Sequence, residues 1–171
     1  MISDYLKKYS NYYLSRYSVT KKKFEDILKN KIKKDFFQKK INNKQYESFK
    51  NEVQKVIEYF EDVGVFNEKR LLEITFQSYV NKGYSKKKIL HKIENAKFEK
   101  DLVNKIINTR MLENDLTQIL IENYLKKSKI IEKQKKTDMS DKQLFDKIIT
   151  KLAKQGFDYY DSKKILTKII S

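Results

Sequence analysis

Tyr79-Val80-Asn81-Lys82-Gly83-Tyr84-Ser85-Lys86-Lys87-Lys88-Ile89-Leu90-His91-Lys92-Ile93 carries the end of one helix and the start of the next. Tyr79 and Val80 close an apolar stripe that begins at Leu72 and Phe76, with the spacing of three and four that marks one face of an α-helix rather than a strand. Gly83 follows at once, where the left-handed conformation that ends a helix favours glycine. Ser85 then offers a short hydroxyl able to accept from the first N–H groups of a new helix, whose inner face carries Ile89, Leu90 and Ile93. A helix, a glycine stop, an aromatic residue and a capping start make a tight helix-to-helix turn.

Moving outward, the same punctuation recurs at Gly64 with Val65 and a start at Asn67, and at Gly156 with Phe157 and a start at Asp161. Each post-glycine side chain is expected to tuck into the local core. Further helical stripes are Leu6, Tyr9 and Tyr13; Phe24, Ile27 and Leu28; Val53, Val56, Ile57 and Phe60; and Leu102, Val103, Ile106 and Ile107. The last third gives Leu112, Leu116, Ile119, Leu120 and Tyr124; Phe145, Ile148, Ile149 and Leu152; and Ile165, Leu166 and Ile169. With the two stripes around Gly83 the count is nine helices, and the fold class is all-α. Proline is absent and glycine occurs three times in 171 residues, too few for the many turns of a sandwich or barrel.

Two turns resemble each other closely. Tyr13-Leu14-Ser15-Arg16-Tyr17-Ser18 with Lys21-Lys22-Lys23-Phe24 parallels Tyr79 to Ser85 with Lys86-Lys87-Lys88-Ile89, and Leu152 to Phe157 with Ser162-Lys163-Lys164-Ile165 is a weaker echo. This suggests tandem three-helix repeats in an elongated or curved chain, with units 1–64, 65–110 and 111–171. Two Lys-rich stretches, 29–50 and 126–141, read as excursions from this pattern: surface loops or solvated helix extensions.

Cysteine is absent, which excludes a disulfide framework, a thiolate metal site and a cysteine nucleophile. His91 is the only histidine, so a Ser-His-Asp triad or a histidine-based zinc site has little to build on, and no glycine-rich phosphate loop occurs. The acidic pairs Glu25-Asp26 and Glu61-Asp62, and Asp138 with Asp141, lie among lysines, where ion pairing or capping is the expected role rather than catalysis. No enzymatic activity, cofactor or metal is expected. The N-terminus lacks the apolar run of a signal peptide and no apolar stretch is long enough to span a membrane, so the expected location is cytoplasmic, as a monomer.

The net charge is +16, spread over the three expected units as +6, +6 and +4 rather than gathered in a tail. A field of that sign attracts polyanions, nucleic acid above all. Only Arg16, Arg70 and Arg110 are arginine among 39 basic residues, a bias that A/T-rich coding explains without explaining the excess of positive over negative charge. Lys21, Lys22 and Lys23, and again Lys86, Lys87 and Lys88, fall in the first turn of their helices, where the helix dipole disfavours cations. Either these triplets answer to an anionic partner or they are chance in a lysine-rich chain. Lysines beside a helix N-terminus make a sensible phosphate contact. Tyrosine is plentiful at 12 residues, but Tyr9, Tyr13 and Tyr79 fall on apolar stripes, where packing is the expected role.

Several of these segments together resemble the RecX family. Tyr59 to Leu72, with Gly64, Asn67-Glu68 and Arg70, is similar to that family's helix-Gly-Tyr-Leu-Asp-Asp-x-Arg-Phe-Ala signature. Tyr79 to Gly83 with Lys87 to Glu94 resembles its basic Gly-to-Ile-x-x-x-Leu segment, and Leu152-Ala153-Lys154-Gln155-Gly156-Phe157 its Leu-Ala-Arg-Arg-Gly-Phe element. Tyr13 to Ser18 with Lys23-Phe24 and Leu28 resembles its opening, and Lys97 stands where that family carries a glycine before a third helix. The resemblance implies a non-enzymatic regulator of three-helix repeats that lodges in the groove of the RecA–DNA filament and inhibits RecA in DNA repair. Arg16, Lys21, Lys22, Lys23, Arg70, Lys82, Lys86, Lys87, Lys88, Lys163 and Lys164 are the candidate contacts to RecA or DNA; Arg70 has an internal pairing with Asp62 as its other reading. A basic helical module that binds single- or double-stranded DNA without RecA is the alternative.

Overall fold

The computed structural model describes residues 2–135 and 140–170, and they are all-helical, with no strand among them. In chain order the helices are α1 (Asp4–Leu14), α2 (Lys21–Phe37), α3 (Asn43–Asp62), α4 (Glu68–Asn81) and α5 (Lys86–Asn95). There follow α6 (Lys100–Val103), a π-helical turn (Asn104–Asn108), α7 (Thr109–Met111), α8 (Leu116–Ser128), α9 (Ile130–Lys135), α10 (Asp141–Lys154) and α11 (Tyr159–Ile170). Every one of the nine stripes lies on or beside a helix. The segments outnumber the stripes because the π turn splits one rod in two, and because α9 follows α8 after Lys129, a residue in the left-handed conformation at φ 50°.

The contacts divide the chain into two compact units, Met1–Leu71 with Ala96–Phe98, and Leu72–Asn95 with Glu99–Ser171. The first boundary thus lies inside α4, a little beyond the Gly64 turn at which the sequence divides 1–64 from 65–110.

Unit 1 packs α1, α2 and α3 around Leu6, Phe24, Leu28, Ile32, Ile41, Phe49, Val53, Val56, Ile57 and Phe60. Each such side chain taken from water stabilises the unit by about 1.5–3 kcal/mol. The stretch 29–50 is no loop. It is the distal half of α2, a short turn and the start of α3, and it supplies Ile32, Ile41 and Phe49 to the core. α2 stops at Lys39, whose φ is 56°, with Lys39 N–H donating to Phe36 O and Lys40 N–H to Asp35 O, both at 2.9 Å. α3 starts with a capping box: Asn42 Oδ1 accepts from Gln45 N–H, and Gln45 Oε1 accepts from Asn42 N–H, each at 2.9 Å.

Asp35 is the only charged residue among the buried described ones. Tyr5 Oη donates to its carboxylate at 2.5 Å and Lys31 Nζ at 2.6 Å. Burial pushes this carboxyl up, but those two hydrogen bonds, with the charges of Lys31 and Lys40, overcome it and hold Asp35 below the usual carboxylate range. Ionised Asp35 therefore stabilises unit 1 above that range, and the contribution is lost as the pH falls through its lowered value. Burial and the same bond keep the Tyr5 hydroxyl protonated well above its ordinary range.

In unit 2 the buried side chains include Leu72, Phe76, Val80, Ile89, Ile93, Ile107, Leu120, Ile121, Ile148, Leu152 and Leu166. Gly83 has φ 67° and sits so close to α8 that an added Cβ would lie 2.2 Å from Tyr124 N, while Asn123 Nδ2 donates to Val80 O at 2.9 Å. Several expectations need correction. Leu90, Ile119 and Ile169, read onto inner stripes, are exposed. Val65 does not tuck in; it is exposed, unlike half-buried Tyr84 and buried Phe157. Leu112 is 80% exposed, because the rod ends at Met111 and α8 begins only at Leu116. The α11 cap is Asp158, not Asp161: Asp158 Oδ1 accepts from Tyr160 N–H at 2.8 Å and Asp161 N–H at 3.1 Å. Ser162 lies inside that helix, so the Lys163-Lys164 pair after it is not at a helix start. Of the stretch 126–141, residues up to 135 continue α8 and form α9, and 136–139 lie outside the described residues.

Candidate nucleic-acid interface

Two helices, α2 and α5, begin in the same way. Thr20 and Ser85 are both buried, and each hydroxyl accepts from the N–H three residues on, Lys23 at 3.1 Å and Lys88 at 3.4 Å. Each also donates at 2.8 Å to the carbonyl at the end of a later helix, Thr20 to Ala96 and Ser85 to Gln155. The residue after that carbonyl is left-handed in both cases, Lys97 at φ 60° and Gly156 at φ 86°, and the next, Phe98 or Phe157, is buried. The hydroxyl thus fixes the helix start, and with it the direction in which the three following lysines leave the backbone.

Ahead of each cap stands a pair of tyrosines with a basic residue between them in sequence. In unit 1 the Tyr13 and Tyr17 rings lie 4.8 Å apart, and the Arg16 guanidinium stacks 4.1 Å over Tyr12 while Arg16 Nη1 donates to Tyr12 Oη at 2.7 Å. In unit 2 the Tyr79 and Tyr84 rings lie 5.5 Å apart. Lys88 Nζ is 4.5 Å from the Tyr84 centroid, Lys92 Nζ is 5.5 Å from Tyr84 and 5.9 Å from Tyr79, and Lys82 Nζ is 5.8 Å from Tyr79. Rings of this kind hold ammonium groups on their faces and keep them gathered without neutralising them.

The lysine triplets are not uniform. Lys21 Nζ pairs with Glu61 at 2.6 Å, and its backbone N–H donates to Glu68 Oε1 at 2.8 Å. With Lys23 N–H bound to Thr20, two first-turn donors of α2 are already occupied, so the phosphate contact expected at that helix start falls to side chains. Lys86 Nζ donates to Met111 O at 2.8 Å and Lys88 Nζ to Gln155 Oε1 at 3.2 Å. Lys22, Lys23 and Lys87 point to solvent. Arg16, Arg70, Lys82, Lys163 and Lys164 are exposed as well, and no ion pair joins Arg70 to Asp62 among the described residues. In unit 1 the structure stacks Arg16 on Tyr12; in unit 2 it gathers Lys82, Lys88 and Lys92 on the Tyr79–Tyr84 pair. Lys163 and Lys164 stand apart on α11, one turn from Tyr159 and Tyr160, both exposed.

Sequence reasoning missed Lys92, and it assigned Tyr13 and Tyr79 to packing. Both tyrosines are half-buried, serving the core with one part of the ring and a neighbouring ring with another. The signal was present: Tyr79, Lys82, Tyr84, Lys88 and Lys92 are spaced as neighbours once the turn at Gly83 folds back. Three of the six acidic residues act in ion pairing, Glu25 with Lys29, Asp26 with Lys97 and Glu61 with Lys21, and Asp138 lies outside the described residues. The Lys97 hydrogen bond is the main cause that holds Asp26 below the usual carboxylate range. His91 is exposed and shares a 2.9 Å hydrogen bond with Asn95.

Fold and site together define a basic all-helical protein in which a hydroxyl-capped helix start preceded by a tyrosine pair occurs twice, with a cluster of lysines on the rings at α5 and a single arginine on Tyr12 ahead of α2. No family model matches the chain, and no curated protein or solved structure matches it either. No described helix is long and apolar enough to cross a membrane.

Proposed function

We propose that this protein binds nucleic acid through the tyrosine-and-lysine cluster at α5, together with Arg16 and the exposed lysines at the start of α2, and that it acts without catalysis as a regulator of a DNA-bound filament. The observation that carries the reading is the recurrence of one device at α2 and α5: a hydroxyl-capped helix start, solvent-facing lysines, and a tyrosine pair beside a basic residue. Ammonium groups supply the sequence-independent attraction to phosphate, and partly exposed rings supply stacking surface for unpaired bases. Arg16 at its ring has the planar fork suited to a phosphate.

The resemblance of the sequence to RecX proteins makes the RecA–DNA filament the proposed polymer and inhibition of RecA the proposed effect. The second reading, a module that binds DNA with no part for RecA, draws on the same clusters. Fluorescence anisotropy with labelled oligothymidylate and duplex, over a range of salt, tests the binding. Lys82→Glu, Lys87→Glu and Lys92→Glu together should weaken it at least about tenfold near physiological salt and flatten the log-affinity against log-salt slope by about two to three. Unchanged affinity in that variant rejects the unit 2 cluster as the site. A RecA ATPase and strand-exchange assay with substoichiometric protein then separates the readings: slowed exchange supports filament regulation, and tight DNA binding with unaltered exchange supports the module alone.

A further inference from the structure

We propose that the tip of the α2–α3 hairpin docks an acidic peptide segment that anchors itself by an apolar side chain. Here the turn closes around a recess of about 680 Å³ lined by Phe36, Phe37, Ile41, Lys39, Lys40 and the Asn42–Gln45 capping box. Phe37 is 71% exposed, on a turn where Phe36 and Ile41 both turn inward. A phenylalanine left in water at the end of a well-formed helix contributes little to folding, and it becomes a favourable contact once a partner covers it.

Charge selects the class of partner. Between residues 29 and 44 there are seven lysines and a single acid, Asp35, which is buried and already bound to Lys31 and Tyr5. Lys29 is paired with Glu25, while Lys39 and Lys40 line the recess and Lys33 Nζ lies 5.9 Å from the Phe37 centroid. The side-chain oxygens of Asn42 and Gln45 are engaged in the capping box, so these amides have N–H groups left to offer. The rim therefore presents donors and positive charge, and the floor presents apolar carbon. A carboxylate-rich peptide, which accepts hydrogen bonds and carries no donor on its acidic side chains, fits this rim. The partner is thus an acidic segment interrupted by a bulky apolar residue, docked apart from the tyrosine clusters and independent of whether those clusters bind DNA.

The probes are a fluorescein-labelled peptide of aspartates interrupted by two phenylalanines, an all-aspartate peptide of equal length, and oligothymidylate, each titrated with the full chain. The interrupted peptide should bind at least about tenfold more tightly than the all-aspartate one, since burying one ring is worth that factor or more. Phe37→Ala, an exposed position whose loss leaves the core intact, should remove most of that difference, and Lys33→Glu with Lys39→Glu should abolish peptide binding. Neither variant should change oligothymidylate affinity by more than about twofold, within the small range left when no direct contact is lost. Equal binding of the two peptides overturns the proposal, as does an unaffected Phe37→Ala. A loss of oligothymidylate affinity in Phe37→Ala assigns the tip to nucleic acid and overturns it too.

Discussion

Thr20 in unit 1 and Ser85 in unit 2 make the same pair of hydrogen bonds, yet what surrounds each bond differs in a way that can be read residue by residue. Where unit 1 places Lys97 in the left-handed position, unit 2 places Gly156. The supporting lysine also changes sides. Lys97 reaches from the later turn to Asp26 on α2, whereas Lys88 reaches from α5 to Gln155 on the later turn. Glycine suits unit 2 because the position has φ 86° and an added Cβ would press on Ser85 Oγ, the atom that makes the bond, at 3.1 Å. The chain solves one packing problem twice, once with a strained backbone and an ion pair, once with a relaxed backbone and a neutral hydrogen bond.

The turns that lead into these two caps differ more. Unit 1 spends Ser15, Arg16, Tyr17, Ser18 and Val19 between α1 and Thr20; unit 2 spends Lys82, Gly83 and Tyr84 between α4 and Ser85. The shorter turn demands a positive φ and brings Gly83 against the backbone of Asn123 and Tyr124. Gly83→Ala should therefore have the largest effect of any substitution in this comparison, a loss of about 3 kcal/mol or more from a backbone clash added to left-handed strain. Urea unfolding followed by circular dichroism gives the magnitude. Amide exchange gives the location, with α4 and α8 losing protection while α1–α3 keep theirs. A cost below about 1 kcal/mol would mean that the close approach yields easily and the two turns are interchangeable.

Much of this was legible in the sequence, for reasons that differ by residue. Gly64, Gly83 and Gly156 marked helix ends correctly because a positive φ leaves a glycine in the chain. Lys39, Lys97 and Lys129 take the same conformation and leave no such mark, so the end of α2 and the junction of α8 with α9 went unread. The 29–50 stretch looked like a loop because lysine and asparagine dilute its apolar spacing. Its core residues Ile32, Ile41 and Phe49 make sense only when α2 and α3 are folded against each other. The triplets were rightly placed in first turns, but their division into bound and solvent-facing lysines depends on Glu61, Met111 and Gln155, which are far from them in sequence. Lys92 escaped because its spacing of four from Lys88 gains meaning only once the Gly83 turn brings Tyr79 and Tyr84 together.

A middle-sized effect tests whether the two caps are equivalent. Thr20→Ala and Ser85→Ala each remove a cap and leave a carbonyl, Ala96 or Gln155, without its partner. Each should cost about 1–2 kcal/mol. Thr20→Ala should be the more costly, since its cap bond is 3.1 Å against 3.4 Å for Ser85. Paired denaturant titrations of the two variants settle the order, and a reversed order would show that the glycine-backed joint depends more on its hydroxyl than the lysine-backed one does.

The smallest expected change is the most informative about strain. Lys97→Gly relieves a left-handed lysine, worth about 1 kcal/mol, and loses a partly exposed ion pair with Asp26, worth about 0.5 kcal/mol. The two effects oppose, so the single variant should move stability by no more than about 0.5 kcal/mol in the favourable direction. The opposition can be undone by removing the acid first. In an Asp26→Asn background there is no ion pair left to lose, and Lys97→Gly should stabilise by the full backbone gain of about 1 kcal/mol. A glycine that destabilises in both backgrounds would mean that the Lys97 side chain, and not the Asp26 pair alone, holds the unit 1 joint together. The likeness of the two joints would then stop at the hydroxyl.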